Sequence, residues 1–136
     1  MPDFRKLLVW QKAHQLSLGV ERLAAGMGRR KQSLARQLER AADSVPANIA
    51  EGRGRATDAD FAHFVSIAIG SVTEVENHLQ RGYDGGVIPE ADYTHLTASA
   101  IEVRKMLIGL RRTLCGQPRP RTGLETNDAA SSTDTT

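Results

Sequence analysis

The sequence predicts an all-α protein, an antiparallel four-helix bundle with shallow crossing angles. Three observations carry this. Four segments repeat apolar residues at alternating spacings of three and four, the period of one helical face. Short stretches rich in glycine, or opened by proline, separate them. Only six aromatic residues occur (three Phe, two Tyr, one Trp), so the core is built from Leu, Val, Ile and Ala rather than from the side chains strands favour.

The first segment places Val9, Ala13, Leu16, Val20 and Leu23 on one face, and Gly26 and Gly28 supply its stop. In the second, Leu34, Leu38, Ala41, Val45 and Ile49 form the stripe, with Gly52 expected to end the helix. Thr57-Asp58-Ala59-Asp60 opens the third like a capping box, with hydroxyl and carboxylate able to satisfy free amides. Its stripe is Phe61, Val65, Ala68, Val72, Val75 and Leu79, and Gly82, Gly85 and Gly86 follow as terminators. Pro89 suits the first turn of the fourth, whose face carries Tyr93, Leu96, Ala100, Val103, Leu107, Leu110 and Leu114. No segment shows the period-two alternation of a half-buried strand.

At 136 residues the chain has the length of one domain, with 40% hydrophobic and 25% charged residues in the ordinary soluble range. Residues 1–115 are read as the bundle. Residues 116–136, dominated by Pro, Gly, Ser, Thr and Asp, bury too little to offset ordering entropy and are expected to be a disordered tail. The net charge is +2; the tail holds Arg119 and Arg121 against Glu125, Asp128 and Asp134, so the body is mildly basic. No apolar run is long enough to span a bilayer, and the N-terminus has no signal-peptide pattern. Cys115, the one cysteine, can make no internal disulfide. A cytoplasmic protein without membrane contact is expected.

A second apolar strip accompanies the main one: Phe64, Ile67 and Ile69 in the third helix, and Ile101, Met106 and Ile108 in the fourth. Such a strip either wraps further into the same core or meets another subunit, and Phe64, Ile67, Ile101 and Ile108 are the candidate oligomer-interface residues.

Ser44-Val45-Pro46-Ala47-Asn48-Ile49-Ala50-Glu51-Gly52 is unusual for a helix interior. Pro46 has no amide proton and its ring opposes the carbonyl of Ala42, so a kink or loosening is expected. Ser44 and Asn48 can serve the loosened backbone groups. A structural kink suffices to explain the proline, and a functional site at the kink is the alternative.

This segment resembles the signature of the 23S rRNA intervening-sequence protein family, in the pattern Ser, Ile or Val, Pro, any, Asn, Ile, Ala or Val, Glu, Gly. Ser44, Pro46, Asn48, Glu51 and Gly52 all match. Val9-Trp10-Gln11-Lys12-Ala13, then Leu34, Gln37, Leu38, Arg40, Ala41 and Ala42, and Phe61, Phe64, Ile67, Ala68, Gly70, Ser71 and Glu74 are also similar to the family, over about residues 4–115. The resemblance implies a left-handed up-down-up-down bundle that assembles into a homopentamer. It also implies a bacterial setting, since some members are encoded within intervening sequences of 23S rRNA genes. The family is similar in build to pentameric accessory proteins of diversity-generating retroelements, which bind nucleic acid and a reverse transcriptase. Two loops depart from the family pattern. Gly28-Arg29-Arg30-Lys31-Gln32 stands where proline and acidic residues are usual, and Gly82-Tyr83-Asp84-Gly85-Gly86 is richer in glycine.

Arg29, Arg30 and Lys31 precede a helix N-terminus, where the positive end of the dipole makes cations unfavourable unless an anion joins them. Arg53 and Arg55 precede the third helix. Both sets are candidate RNA or DNA contacts; a solvated basic loop is the alternative. The two loops follow opposite ends of the second helix, so a ring of subunits, not one protomer, would concentrate each of them. The glycine-rich segment before the third helix lacks the Gly-Lys-Ser/Thr of a phosphate-binding loop. His14, His63, His78 and His95 lack metal-ligand spacing, Glu74 and Glu76 diverge on their helix, and no nucleophile comes with a base. The function expected is therefore non-enzymatic, without cofactor: a self-assembling module that binds RNA or DNA, or else a scaffold for a partner protein.

Overall fold

The computed structural model describes residues 2–116. Four helices account for most of them: α1 (Leu8–Ala25), α2 (Gln32–Arg53), α3 (Asp58–Asp84) and α4 (Glu90–Leu114). Short 3-10 turns at Phe4–Lys6 and Arg29–Lys31 lead into α1 and α2, and the described residues contain no strand. Apart from Gly116, the expected tail lies outside the described residues.

Each helix packs on its neighbour in sequence, and α4 returns to α1, closing a four-helix bundle. The apolar stripes meet at the centre. Leu16, Val20, Leu38, Val45, Ile49, Val65, Val72, Val75, Leu79, Val103 and Leu107 are almost wholly removed from water. Each such side chain contributes about 1.5–3 kcal/mol relative to an exposed one, so this seam dominates the stability. Tyr93, Leu110 and Leu114 pack at its border, half-buried. Between helices, positions pair in inverse order: Gln80 with Tyr93, Glu76 with Arg104 and Ser66 with Arg111 across α3 and α4.

Thr57 is the N-cap of α3, its hydroxyl accepting from the Asp60 amide at 3.1 Å; only the hydroxyl arm of the expected capping box forms among the described residues. Pro89 is the N-cap of α4 rather than its first helical residue.

Two glycines expected as stops are not stops. α2 continues through Gly52 to a cap at Gly54, and α3 continues through Gly82 to a cap at Gly85. Both glycines are buried contact points. A Cβ on Gly52 would stand 2.8 Å from Phe61 Cδ1 and 2.9 Å from Phe64 Cβ, and one on Gly82 would stand 2.7 Å from Ile88 Cγ1. Real Cβ atoms do not come this close, so α3 lies against the bare backbone of α2 at Gly52. The turn after α3 folds back to bring Ile88 onto Gly82, whose carbonyl accepts from the amides of Val87 and Ile88. The left-handed turn itself is made by Gly86, at φ 74°.

Pro46 is buried inside α2, and the helix nonetheless runs unbroken from Gln32 to Arg53. Asn48 Nδ2 donates to the Ser44 carbonyl at 2.8 Å and to Ser44 Oγ at 2.9 Å, and Ser71 Oγ on α3 donates to the same Ser44 Oγ at 2.8 Å. The polar residues flanking the proline thus link the backbone of α2 to the side of α3.

Candidate nucleic-acid interface

The two basic segments sit at opposite ends of α2, whose 22 residues span about 33 Å at ~1.5 Å per residue. They differ in how far the protein itself satisfies their charge.

Arg29, Arg30 and Lys31 form a 3-10 turn between Gly28 and α2, and all three are exposed. The turn feeds directly into an N-terminus without a side-chain cap and without an acidic residue in its first turn. None of the three makes a salt bridge or a side-chain hydrogen bond among the described residues. Three positive charges therefore stand beside the positive end of α2 with no ion-pair partner among the described residues.

At the other end Arg55 is already engaged by the protein. Arg55 Nη2 meets Glu51 Oε2 at 2.8 Å one helical turn away, and its guanidinium lies 4.6 Å from the centroid of the Phe64 ring. Arg53 is half-buried, and its Nε is a buried donor without a partner among the described residues. Arg111 and Arg112, in the last turn of α4, add cations to this end, and Arg111 Nη1 donates to Ser66 Oγ at 3.2 Å. Asp58 and Asp60 stand in the first turn of α3, where carboxylates suit the positive helix end. The signal for Arg55 was in the sequence, since Glu51 precedes it by four residues; Arg111 and Arg112 show only as cations near a helix C-terminus.

The signature residues divide between two faces of α2. Ser44, Asn48 and Glu51 follow at spacings of four and three, with Ser71 of α3 joined to Ser44 and Arg55 to Glu51. Pro46 and Gly52 are buried in the packed interior.

The candidate interface residues are not equivalent. Ile67 is 40% exposed, whereas Phe64, Ile101 and Ile108 are half-covered by their own fold. Phe64 is drawn toward Gly52 and Arg55, on the α2 side of α3. Ile101 and Ile108 alternate with Arg104 and Arg111 on α4, both of which reach across to α3. Leu8 and Leu18 on α1, 57% and 39% exposed, are large apolar side chains in water that lie outside the stripes.

Glu74 and Glu76 diverge as their spacing requires. Glu74 Oε2 lies 3.2 Å from Nε2 of the buried His78, and Glu76 binds Arg104 Nε at 2.7 Å. Among the described residues, no three His, Cys, Asp or Glu side chains gather as a metal site would need, and no helix is long and apolar enough to cross a membrane. Cys115 is exposed.

A family model described as 23S rRNA-intervening sequence protein matches residues 5–109. No curated protein matches the chain. A solved structure with a similar fold is that of a protein with unknown function from the S23 ribosomal protein family of Bacteroides thetaiotaomicron. It is 22% identical, with a TM-score of 0.73, over 77% of this chain and 96% of that one. At that identity the likeness concerns the fold.

Proposed function

Because the chain belongs to the 23S rRNA-intervening sequence protein family, we propose that it is a non-enzymatic, self-assembling bundle that binds RNA or DNA through its basic turns. The single observation that carries this reading is the Arg29–Lys31 turn: three exposed cations, no ion-pair partner among the described residues, and a helix start without a side-chain cap behind them. Phosphate oxygens are the anions that would resolve that arrangement in a nucleic-acid partner. Arg53 and Arg55 are secondary contacts in this reading, because Arg55 must first leave Glu51 and Phe64.

The helices are proposed to run up-down-up-down in a left-handed antiparallel bundle, in keeping with the inverse pairing of α3 with α4. Residues 1–115 are the bundle in this proposal, and the setting the bacterial cytoplasm. The assembly proposed is a homopentamer, with Ile67 at its contact and Phe64, Ile101 and Ile108 around it. A ring would repeat the Arg29–Lys31 turn once per subunit and so raise avidity beyond what one turn supplies.

Two measurements test this. Light scattering gives the mass in solution, and fluorescence anisotropy with a labelled RNA gives affinity as salt is raised. Binding that weakens steeply with salt, and that Arg29→Ala, Arg30→Ala and Lys31→Ala together abolish in a folded protein, is the expected result. Absence of binding at low salt would sink it. A second reading, a scaffold for a partner protein, draws on the exposed Leu8, Leu18 and Ile67, and recovery of one defined protein free of nucleic acid would favour it.

A further inference from the structure

Residues 29–40, the turn before α2 and the first nine residues of that helix, hold five cations against one carboxylate, Glu39. The cations are Arg29, Arg30, Lys31, Arg36 and Arg40. This segment carries +4 in a chain whose net charge is +2, so the rest of the chain is net acidic. Arg36 and Arg40 stand one helical turn apart, are exposed, and make no ion pair or side-chain hydrogen bond among the described residues. Two neighbours fix their bearing. Asp43 meets α1, where Ser17 Oγ donates to its Oδ1, and Ser44 meets α3 through Ser71 Oγ. At about 100° per residue Arg36 and Arg40 fall between those two bearings, on the outward face of α2, and Glu39 falls beyond Asp43 toward α1. From Lys31 to Arg40 the stripe runs about 14 Å along the helix.

Resting on the nucleic-acid reading above, we propose that this stripe, with Arg36 and Arg40 as further contacts, tracks the phosphate backbone of double-stranded nucleic acid and reads no base. Five cations without ion-pair partners, gathered in one stretch of a chain that is otherwise net acidic, fit a polyanion. What the stripe lacks selects among polyanions. Sites for single strands set aromatic side chains among their cations for bases to stack on, and residues 29–40 contain no aromatic residue. Phe61 and Phe64 lie beside Gly52, at the far end of α2, and Tyr83 is stacked on Tyr93 between α3 and α4. Surfaces that lie on membranes carry apolar side chains to bury among the lipids. The large exposed ones among the described residues, Leu8, Leu18 and Ile67, are on α1 and α3. A site built from cations alone gains from charge density. A duplex has one phosphate per about 1.7 Å of its axis and a single strand one per about 3.4 Å, so the same cations release more counterions from the duplex.

The test uses the full chain with a labelled DNA duplex and a labelled single strand of equal phosphate count, read by anisotropy as salt is raised. The duplex should bind about tenfold tighter at low salt, and its affinity should fall more steeply with salt. Arg36→Ala and Arg40→Ala together remove two of the five cations and should lower the duplex salt slope by about two-fifths, with the helical circular dichroism unchanged. Lys6→Ala and Lys105→Ala remove the same charge from exposed positions outside the stripe and should change affinity less than about twofold. Absence of duplex binding, a single strand that binds as tightly as the duplex, or equal losses in the two paired variants overturns the inference. Displacement of the duplex by vesicles of anionic lipid at equal charge also overturns it. If the Arg36, Arg40 variant binds as the wild type does while the Arg29–Lys31 alanine variant does not bind, the broader reading stands without the longer stripe. Failure of the wild type to bind duplex, single strand or labelled RNA overturns that broader reading, and the stripe falls with it.

Discussion

Replacing Gly52 with alanine sets two effects of opposite sign against each other, and the structure decides between them. Alanine inside a helix is favoured over glycine by about 0.8–1.0 kcal/mol, because less backbone entropy is lost on folding. At Gly52 the added methyl group would stand 2.8 Å from Phe61 Cδ1 and 2.9 Å from Phe64 Cβ. The first atom belongs to a buried ring, and the second is fixed to the backbone of α3, so neither can swing aside. Forcing a methyl into such a contact costs about 1–3 kcal/mol. The net effect is a loss of about 1 kcal/mol. Gly70 in α3 has nothing within 4 Å of the same methyl, so Gly70→Ala keeps the propensity gain of about 0.8 kcal/mol without the clash. The two variants should therefore differ by about 2 kcal/mol, or several degrees in Tm for a domain of this size. Urea unfolding followed by circular dichroism at about 222 nm, at one protomer concentration, measures the difference. If Gly52→Ala stabilises as much as Gly70→Ala, the close approach of α3 to α2 is wrong.

Four other outcomes follow from the same packing. Leu38→Ala, at a side chain with no exposure, should cost about 3 kcal/mol in the same unfolding assay. Asn48→Ala removes the two bonds that its amide donates to Ser44 and should cost about 1 kcal/mol, with Ser71→Ala non-additive to it in a double-mutant cycle. A cycle on Arg104→Ala and Glu76→Ala should give a coupling of about 1 kcal/mol that shrinks with added salt, since both side chains are still partly in water. The Asp3 carboxyl is held below its ordinary value of 3.8, chiefly by the side-chain hydrogen bond from Arg5 and then by the Arg5 amide. A lowered folded pKa means that this tie holds above the unfolded value and is lost as pH falls through the folded one. Trp10, packed edge-on against Phe4 at 5.0 Å between centroids, should report the loss as an acid-side fluorescence change that Asp3→Asn abolishes.

The helices were legible because their signal is periodic. Every stripe residue assigned to α3, from Phe61 to Leu79, is buried, and in α1 the stripe is buried from Val9 to Val20. Glycine was read less well. A residue without a side chain serves both to end a helix and to let another element touch its backbone, and spacing alone does not distinguish the two. Gly26 ends α1, whereas Gly52 and Gly82 are contact points inside α2 and α3. The basic turns were visible as sequence, but their difference was not. Arg55 is claimed by Glu51, which spacing could have revealed, and by Phe64, which only packing of α3 on α2 reveals. Ser44 and Asn48 were expected to serve the backbone around Pro46. Ser71 enters that network from 27 residues away and left no local trace.

The bare-backbone contact of α2 with α3 bears on how the molecule yields. α2 and α3 share the most extensive helix contact, and the α1–α4 seam is the sparsest of the four. A cylinder riveted along one side and gapped along the other does not fail evenly; it unrolls from the gap. Amide protons along that seam should exchange with deuterium before those of the riveted pair.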